Sequence, residues 1–152
     1  MRLMTERVDE FSFGADEFWR RVRNVDQFRT WWPWLRHFDG RRLAGGEVWE
    51  CTVQPPVPYA VRFTVHVVHV DEQTVAALIA GDIAGSATLT VTSTASGCRS
   101  TLLADLQPDK QSLRLMSIAA RPVVRFGHNW VLDAGVRQFI ARSDPGGRQA
   151  AT

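Results

Sequence analysis

The segment RFGHNWVLDAG, Arg125–Gly135, offers a histidine and a carboxylate, His128 and Asp133, within one helical stretch. Histidine is the side chain that titrates near neutrality, so His128 on the wall of a cavity could serve as an acid or a base. Its ordinary alternative is a partly buried imidazole hydrogen-bonded to backbone. A spacing of five puts His128 and Asp133 on different helical faces, so no dyad is expected within this helix. Either can still pair with a strand or with the Trp31–Trp34 region. Gly127, next to His128, costs about 1 kcal/mol relative to alanine in a helix interior. Two reasons for it are open: a ligand lies between helix and sheet at that point, or the helix packs closely on a sheet tryptophan such as Trp49.

The other polar groups promise less. His37, His66 and His69 lack metal-ligand spacing, and on an alternating strand His66 and His69 face opposite sides, so no zinc site is expected. Cys51 and Cys98 form no CxxC or Cys/His set. Cys51 shares a face with Trp49 and reads as a small core hydrophobe. Asp82, in GDIAGS, either caps a tight turn or projects from the sheet rim toward a ligand's polar end or an arginine such as Arg62. There is no GxSxG and no glycine-rich phosphate loop. No metal and no cofactor is implied.

The aromatic residues carry the stronger signal. TWWPWL, Thr30–Leu35, holds three tryptophans around a proline, more ring area than a loop keeps in water. Trp49, Tyr59 and Phe63 alternate inward on neighbouring strands, Trp130 comes from the helix, and Trp32 or Trp34 comes from the segment covering one end. Such rings either fill a core or wall a cavity suited to a ring-containing molecule.

The elements that must position these groups follow from periodicity. Leu3–Phe13 reads as an opening strand, with Val8, Phe11 and Phe13 apolar among charged neighbours. GADEFWRRV and NVDQF read as two short helices, the second with Asn24 as cap and Gln27 three residues on. From Trp34 to Leu106 the period becomes two, as in EVWECTV and YAVRFTVHVVHV, with turn signals at Gly45-Gly46, Pro55-Pro56-x-Pro58, Asp71-Glu72, Gly81-Asp82 and Ser96-Gly97. Short connections imply an antiparallel meander. A long helical pattern runs from Ser112 to about Arg142, with a kink or restart at Pro122. Its inner face carries Met116, Ala120, Val123, Val124, Gly127, Trp130, Val131 and Ala134. A second stripe, Leu132, Val136 and Phe139, is either covered on another side or an interaction surface.

A chain of 152 residues fits one domain, taken here as 1–142 with a disordered tail at 143–152. Seventeen of its basic residues are Arg, the net charge is only +2, and no run of five like charges occurs, so nucleic acid is not an expected partner. The charged N-terminal segment and the lack of a long apolar run speak against a signal peptide or an integral membrane segment, and point to a cytoplasmic protein with reduced thiols.

This order of elements, with DQFRTWWPWLRHFDG, GEVWECTVQPPVPYAVRFTV, GDIAGSATLTV and RPVVRFGHNWVLDAGVRQF, resembles the START-like superfamily of SRPBCC, or helix-grip, proteins, and within it a bacterial polyketide cyclase/dehydrase-like branch. The resemblance spans Arg2 to about Arg142. It implies an α+β fold: a curved seven-stranded antiparallel sheet wrapped around a long C-terminal helix, two short helices after the first strand, and an apolar cavity between sheet and helix. The residues expected to line that cavity are Trp32, Trp34, Trp49, Tyr59, Phe63, Asp82, Val123, Val124, Gly127, His128, Val131 and Ala134. The function expected is binding of a small hydrophobic or amphipathic molecule: a lipid, polyketide or aromatic metabolite. A cyclase/aromatase that uses His128 as its acid/base is the alternative, and a protein-interaction or homodimerising module is the third.

Overall fold

The structure, a computed structural model, describes residues 2–109 and 121–144. Seven strands form one sheet: β1 (Leu3–Phe11), β2 (Leu35–Phe38), β3 (Val48–Val53), β4 (Val61–Val70), β5 (Thr74–Gly81), β6 (Ile83–Thr94) and β7 (Gly97–Pro108). Their spatial order is β1-β7-β6-β5-β4-β3-β2, and every neighbouring pair is antiparallel. The expected meander is present, and the first strand returns to pair with the last.

Between β1 and β2 lie α1 (Ala15–Val22) and a 3-10 turn, Val25–Gln27, that runs into α2 (Phe28–Trp31). The terminal helix α3 spans Arg121–Arg142. Met116, Ala120 and the expected helix start at Ser112 lie outside the described residues. Asn24 makes no side-chain cap bond; its backbone carbonyl instead accepts from Gln27 N at 2.9 Å. Asp16 and Glu17 occupy the first turn of α1, where carboxylates suit the positive end of the helix dipole.

The sheet curls because long strands twist and because glycine lets two of them approach. Gly85 has φ of 150°, and a Cβ there would stand 1.9 Å from the carbonyl oxygen of Asp105 on β7. Only glycine fits this crossing. At the β4–β5 turn Asp71 performs the expected turn duty, its Oδ1 accepting from Gln73 N and Thr74 N at 2.8 Å each.

One register left open by the sequence is settled here, and another differs from the sequence reading. On β1 the inward residues are Leu3, Thr5, Arg7, Asp9 and Phe11, whereas Val8 is 53% exposed on the outer face. The buried ends, Leu3 and Phe11, fix the parity, and a period of two then turns the polar trio inward. On β4 a bulge between Val67 and His69 resets the alternation, so Val70 packs on the core while His66 and His69 are both exposed. They do not face opposite sides.

The core is largely aromatic. Phe139 of α3 lies at its centre, with ring centroids 5.9 Å from Phe11, 5.4 Å from Phe18 and 5.5 Å from Trp31. Of the Leu132/Val136/Phe139 stripe, Phe139 is buried against β1, α1 and α2, while Leu132 and Val136 are half-buried and line the interior. Past Arg142 the chain stays docked: Ser143 is buried, and its Oγ accepts from Arg21 at 3.3 Å. Residues 145–152 of the expected tail lie outside the described residues. Phe139→Ala should cost about 3–5 kcal/mol of stability, read from the urea midpoint at unchanged m-value.

Candidate functional site

The curled sheet does not close fully on α3. Two hollows remain between them, and Val131 and Leu132 of the helix form part of the wall of both. The smaller chamber, about 180 Å³, is bounded by Tyr59, Phe63, Val124, Gly127 and His128 among others. The larger, about 350 Å³, reaches from Trp32, Trp34 and Trp49 across the sheet to Arg7 and Asp9.

The wall of the smaller chamber is built by the proline-rich loop between β3 and β4. Its three prolines have no N–H to donate, so a side chain orders the loop instead. The Gln54 amide Nε2 lies 3.2, 2.9 and 2.8 Å from the carbonyl oxygens of Pro55, Val57 and Tyr59. That places Pro55 and Tyr59 against α3, where a Cβ on residue 127 would sit 3.3 Å from Pro55 Cγ and 3.5 Å from the Tyr59 hydroxyl. Gly127 thus accommodates a close approach, but its neighbours are Pro55 and Tyr59 rather than Trp49. Burial raises the Tyr59 phenol above its ordinary value.

His128 is part-buried at the edge of the same chamber, its Nε2 hydrogen-bonded to Thr5 Oγ1 of β1 at 2.8 Å. Desolvation, with the Arg125 charge adding to it, lowers its pKa below the ordinary 6.5, so the ring is neutral at pH 7. Asp133 also pairs with β1, accepting from Arg7 Nη1. The helical histidine and aspartate do not meet; each takes a β1 partner two residues from the other's.

The tryptophan segment divides its work. Trp31 is core, 3% exposed. Trp32 and Trp34 stack at 5.7 Å and line the larger chamber. Their indole nitrogens donate to α3, Trp32 to the Gly135 carbonyl at 2.9 Å and Trp34 to Gln138 Oε1 at 2.8 Å. Trp49 stands across from them beside Phe28, with centroids 6.2 Å apart.

Three expected residues fall elsewhere. Val123 is half-buried in a satellite cluster with Leu3, Leu106 and Val124, and Ala134 is fully buried; neither borders a chamber. Asp82 lies on the outer side, in a groove with His37, Glu50 and Arg62. Its Oδ2 accepts from the Arg62 backbone N–H at 2.9 Å and its own N–H donates to the Arg62 carbonyl at 2.8 Å, so it ties the β5–β6 junction to the start of β4. His37, Asp39 and Glu50 bring donor atoms within 4.8 Å of one another, but all three are exposed. Cys51 is buried, and its thiol is pushed up to about 12, by desolvation first and Asp39 second.

No protein-family profile and no curated protein matches the sequence. Solved structures do match. The Zhui aromatase/cyclase from Streptomyces sp. R1128 superposes with a TM-score of 0.76 at 12% identity, over 99% of this chain and 98% of that one. Ara h 8.0201 gives 0.68 at 10% identity, over 94% and 98%. Norcoclaurine synthase from Thalictrum flavum, in complex with dopamine and hydroxybenzaldehyde, gives 0.60 at 12% identity, over 93% and 88%. The chain has the helix-grip fold. At these identities the likeness carries the architecture alone.

Within this helix-grip framework, Thr5, Arg7, Asp9 and Gln54 are the site-forming residues absent from the sequence reading. The signal for the first three was available: parity from Leu3 to Phe11 turns all of them inward. Gln54 had no such signal, since its role depends on where three carbonyls end up. Among the described residues no helix is long and apolar enough to cross a membrane.

The lowered His128 pKa fixes a pH dependence. The unfolded chain takes up the proton near pH 6.5 while the folded chain resists it, so His128 favours folding fully above that pH. The contribution is lost as pH falls toward the folded-state value, with a slope of at most about 1.4 kcal/mol per pH unit. His128→Gln should flatten the decline in urea-unfolding free energy between pH 7 and pH 5 relative to the unsubstituted protein.

Proposed function

We propose that the protein binds a small, mainly apolar molecule of two or more rings in the hollow between sheet and α3. One observation carries this reading: two adjoining interior chambers walled almost entirely by aliphatic and aromatic side chains, with a few polar groups at their margins. That combination is how proteins hold small ligands. Burying about 200 Å² of apolar ligand surface yields roughly 5 kcal/mol, an affinity in the sub-millimolar range. Tyr59 and the Thr5–His128 pair would orient the molecule in the smaller chamber. Trp32, Trp34 and Trp49 would supply flat walls in the larger, with Val131 at the junction.

Support for a cyclase/aromatase reading is weaker. It rests on His128 as acid/base, and the Nε2 nitrogen of that imidazole is already hydrogen-bonded to Thr5, with no carboxylate beside it in the same helix. Such a group fits orientation of a ligand better than proton transfer to one.

Calorimetric titration with 2-naphthol tests the proposal. One-to-one binding is expected, and Val131→Phe, which fills the junction, should weaken it at least tenfold while the thermal midpoint moves by only a few degrees. Absence of binding to the unsubstituted protein, or an unchanged affinity in the folded variant, would refute it.

A further inference from the structure

The inner face of β1 is polar where a core strand would ordinarily be apolar. Arg7 and Asp9 line the larger chamber, and their cross-strand partners Leu102 and Ser100 line it as well. Arg7 Nε donates to Asp9 Oδ2 at 2.8 Å and Nη2 to Asp9 Oδ1 at 3.2 Å, while Nη1 donates to Asp133. The Arg7 and Asp9 side chains are only 25% and 19% exposed. Ser100 is 5% exposed.

A buried ion pair of this kind gives little net stability compared with apolar residues of equal volume, because both charges lose hydration. Its presence on a cavity wall therefore calls for another role. The hydrogen-bond inventory suggests which. A guanidinium has five N–H donors, and the contacts above occupy three of them. The other N–H groups can donate to a carbonyl or hydroxyl oxygen. Each Asp9 oxygen has a further lone pair that can accept from a hydroxyl.

Charge decides what cannot bind there. One guanidinium faces two carboxylates, Asp9 at 19% and Asp133 at 63% side-chain exposure, so the Arg7 charge is answered on the chamber wall by Asp9, and Asp133 adds a further, solvent-screened negative charge. An incoming carboxylate would lose its hydration and meet no uncompensated cation.

We infer that the larger chamber selects ligands bearing an uncharged hydroxyl or carbonyl group, seated at Arg7 and Asp9, and rejects carboxylates of the same size. The selectivity rests on the ligand-binding reading above, but it makes a separate demand: Asp9 must set it. With Asp9 intact the polar seat is a neutral donor–acceptor pair. With Asp9→Asn the shape is retained, the cluster becomes formally neutral, and Arg7 is answered only by Asp133, whose side chain is 63% exposed.

The experiment compares 2-naphthol with 2-naphthoate at pH 7.5 by calorimetry, on the unsubstituted protein and on Asp9→Asn. The unsubstituted protein should prefer 2-naphthol at least tenfold. In Asp9→Asn that preference should shrink by tenfold or more, through a gain in 2-naphthoate affinity. Equal affinities for the two probes in the unsubstituted protein would overturn the inference without needing any variant. So would a preference that survives Asp9→Asn unchanged in a variant with native circular dichroism. In both cases the apolar hollow would still stand as a binding site. Failure of both probes to bind the unsubstituted protein would instead sink the ligand-binding reading and this one together.

Discussion

The hollow exists because α3 is pinned at one end of the sheet. Trp32 and Trp34 each pass an indole N–H to the C-terminal half of the helix, and Arg142 Nη1 returns a bond to the Trp31 carbonyl at 2.8 Å. Phe139, surrounded by Phe11, Phe18 and Trp31, makes the same joint apolar. Indole suits such a joint, since it buries a large ring and still satisfies a directional bond. With the helix held there, its middle spans the concave sheet instead of settling on it. The side chains facing inward along that span, Gly127 and Val131 among them, are too small to fill the distance.

The opposite wall is set by a different constraint. β1 pairs with β7 residue for residue from Leu3 to Phe11, and period two leaves no freedom once the apolar ends are buried. The strand must then carry Thr5, Arg7 and Asp9 into the interior, where each has a partner: His128 for Thr5, and Asp9 with Asp133 for Arg7. The result is a polar seam beside an apolar void. Buried polar groups are tolerable when hydrogen-bonded, and these are.

Much of this was legible in the residue pattern. Alternation in YAVRFTVHVVHV and the helical stripe from Val124 to Ala134 fixed both the sheet and the helix face, because burial on one side imposes its own period. Reading failed where two registers compete. The LMTERVDEF strand carries apolar and charged residues on both faces, Leu3 and Phe11 on one and Met4 and Val8 on the other, so alternation alone leaves its inner face open. His66 and His69 were misjudged because one inserted residue, invisible in composition, moves everything after it to the other side. Asp82 was ambiguous among a turn, a ligand and an arginine side chain, and its bond goes instead to the Arg62 backbone N–H on the neighbouring strand, which sequence spacing does not reveal. The cavity-lining tryptophans were recognisable as a group, but which ring serves the core and which the void depends on α2 ending at Trp31.

The proline-rich loop beside Gly127 has a consequence for how the interior responds to a guest. Its backbone torsions are restricted by three pyrrolidine rings, and the Gln54 amide holds its carbonyls in the empty protein. Little ordering entropy is then left to lose on that side when a molecule arrives. For the ligand proposed above, rigidity of this sort would favour tight retention over rapid turnover, and it would place the burden of admitting and releasing that molecule on other parts of the shell.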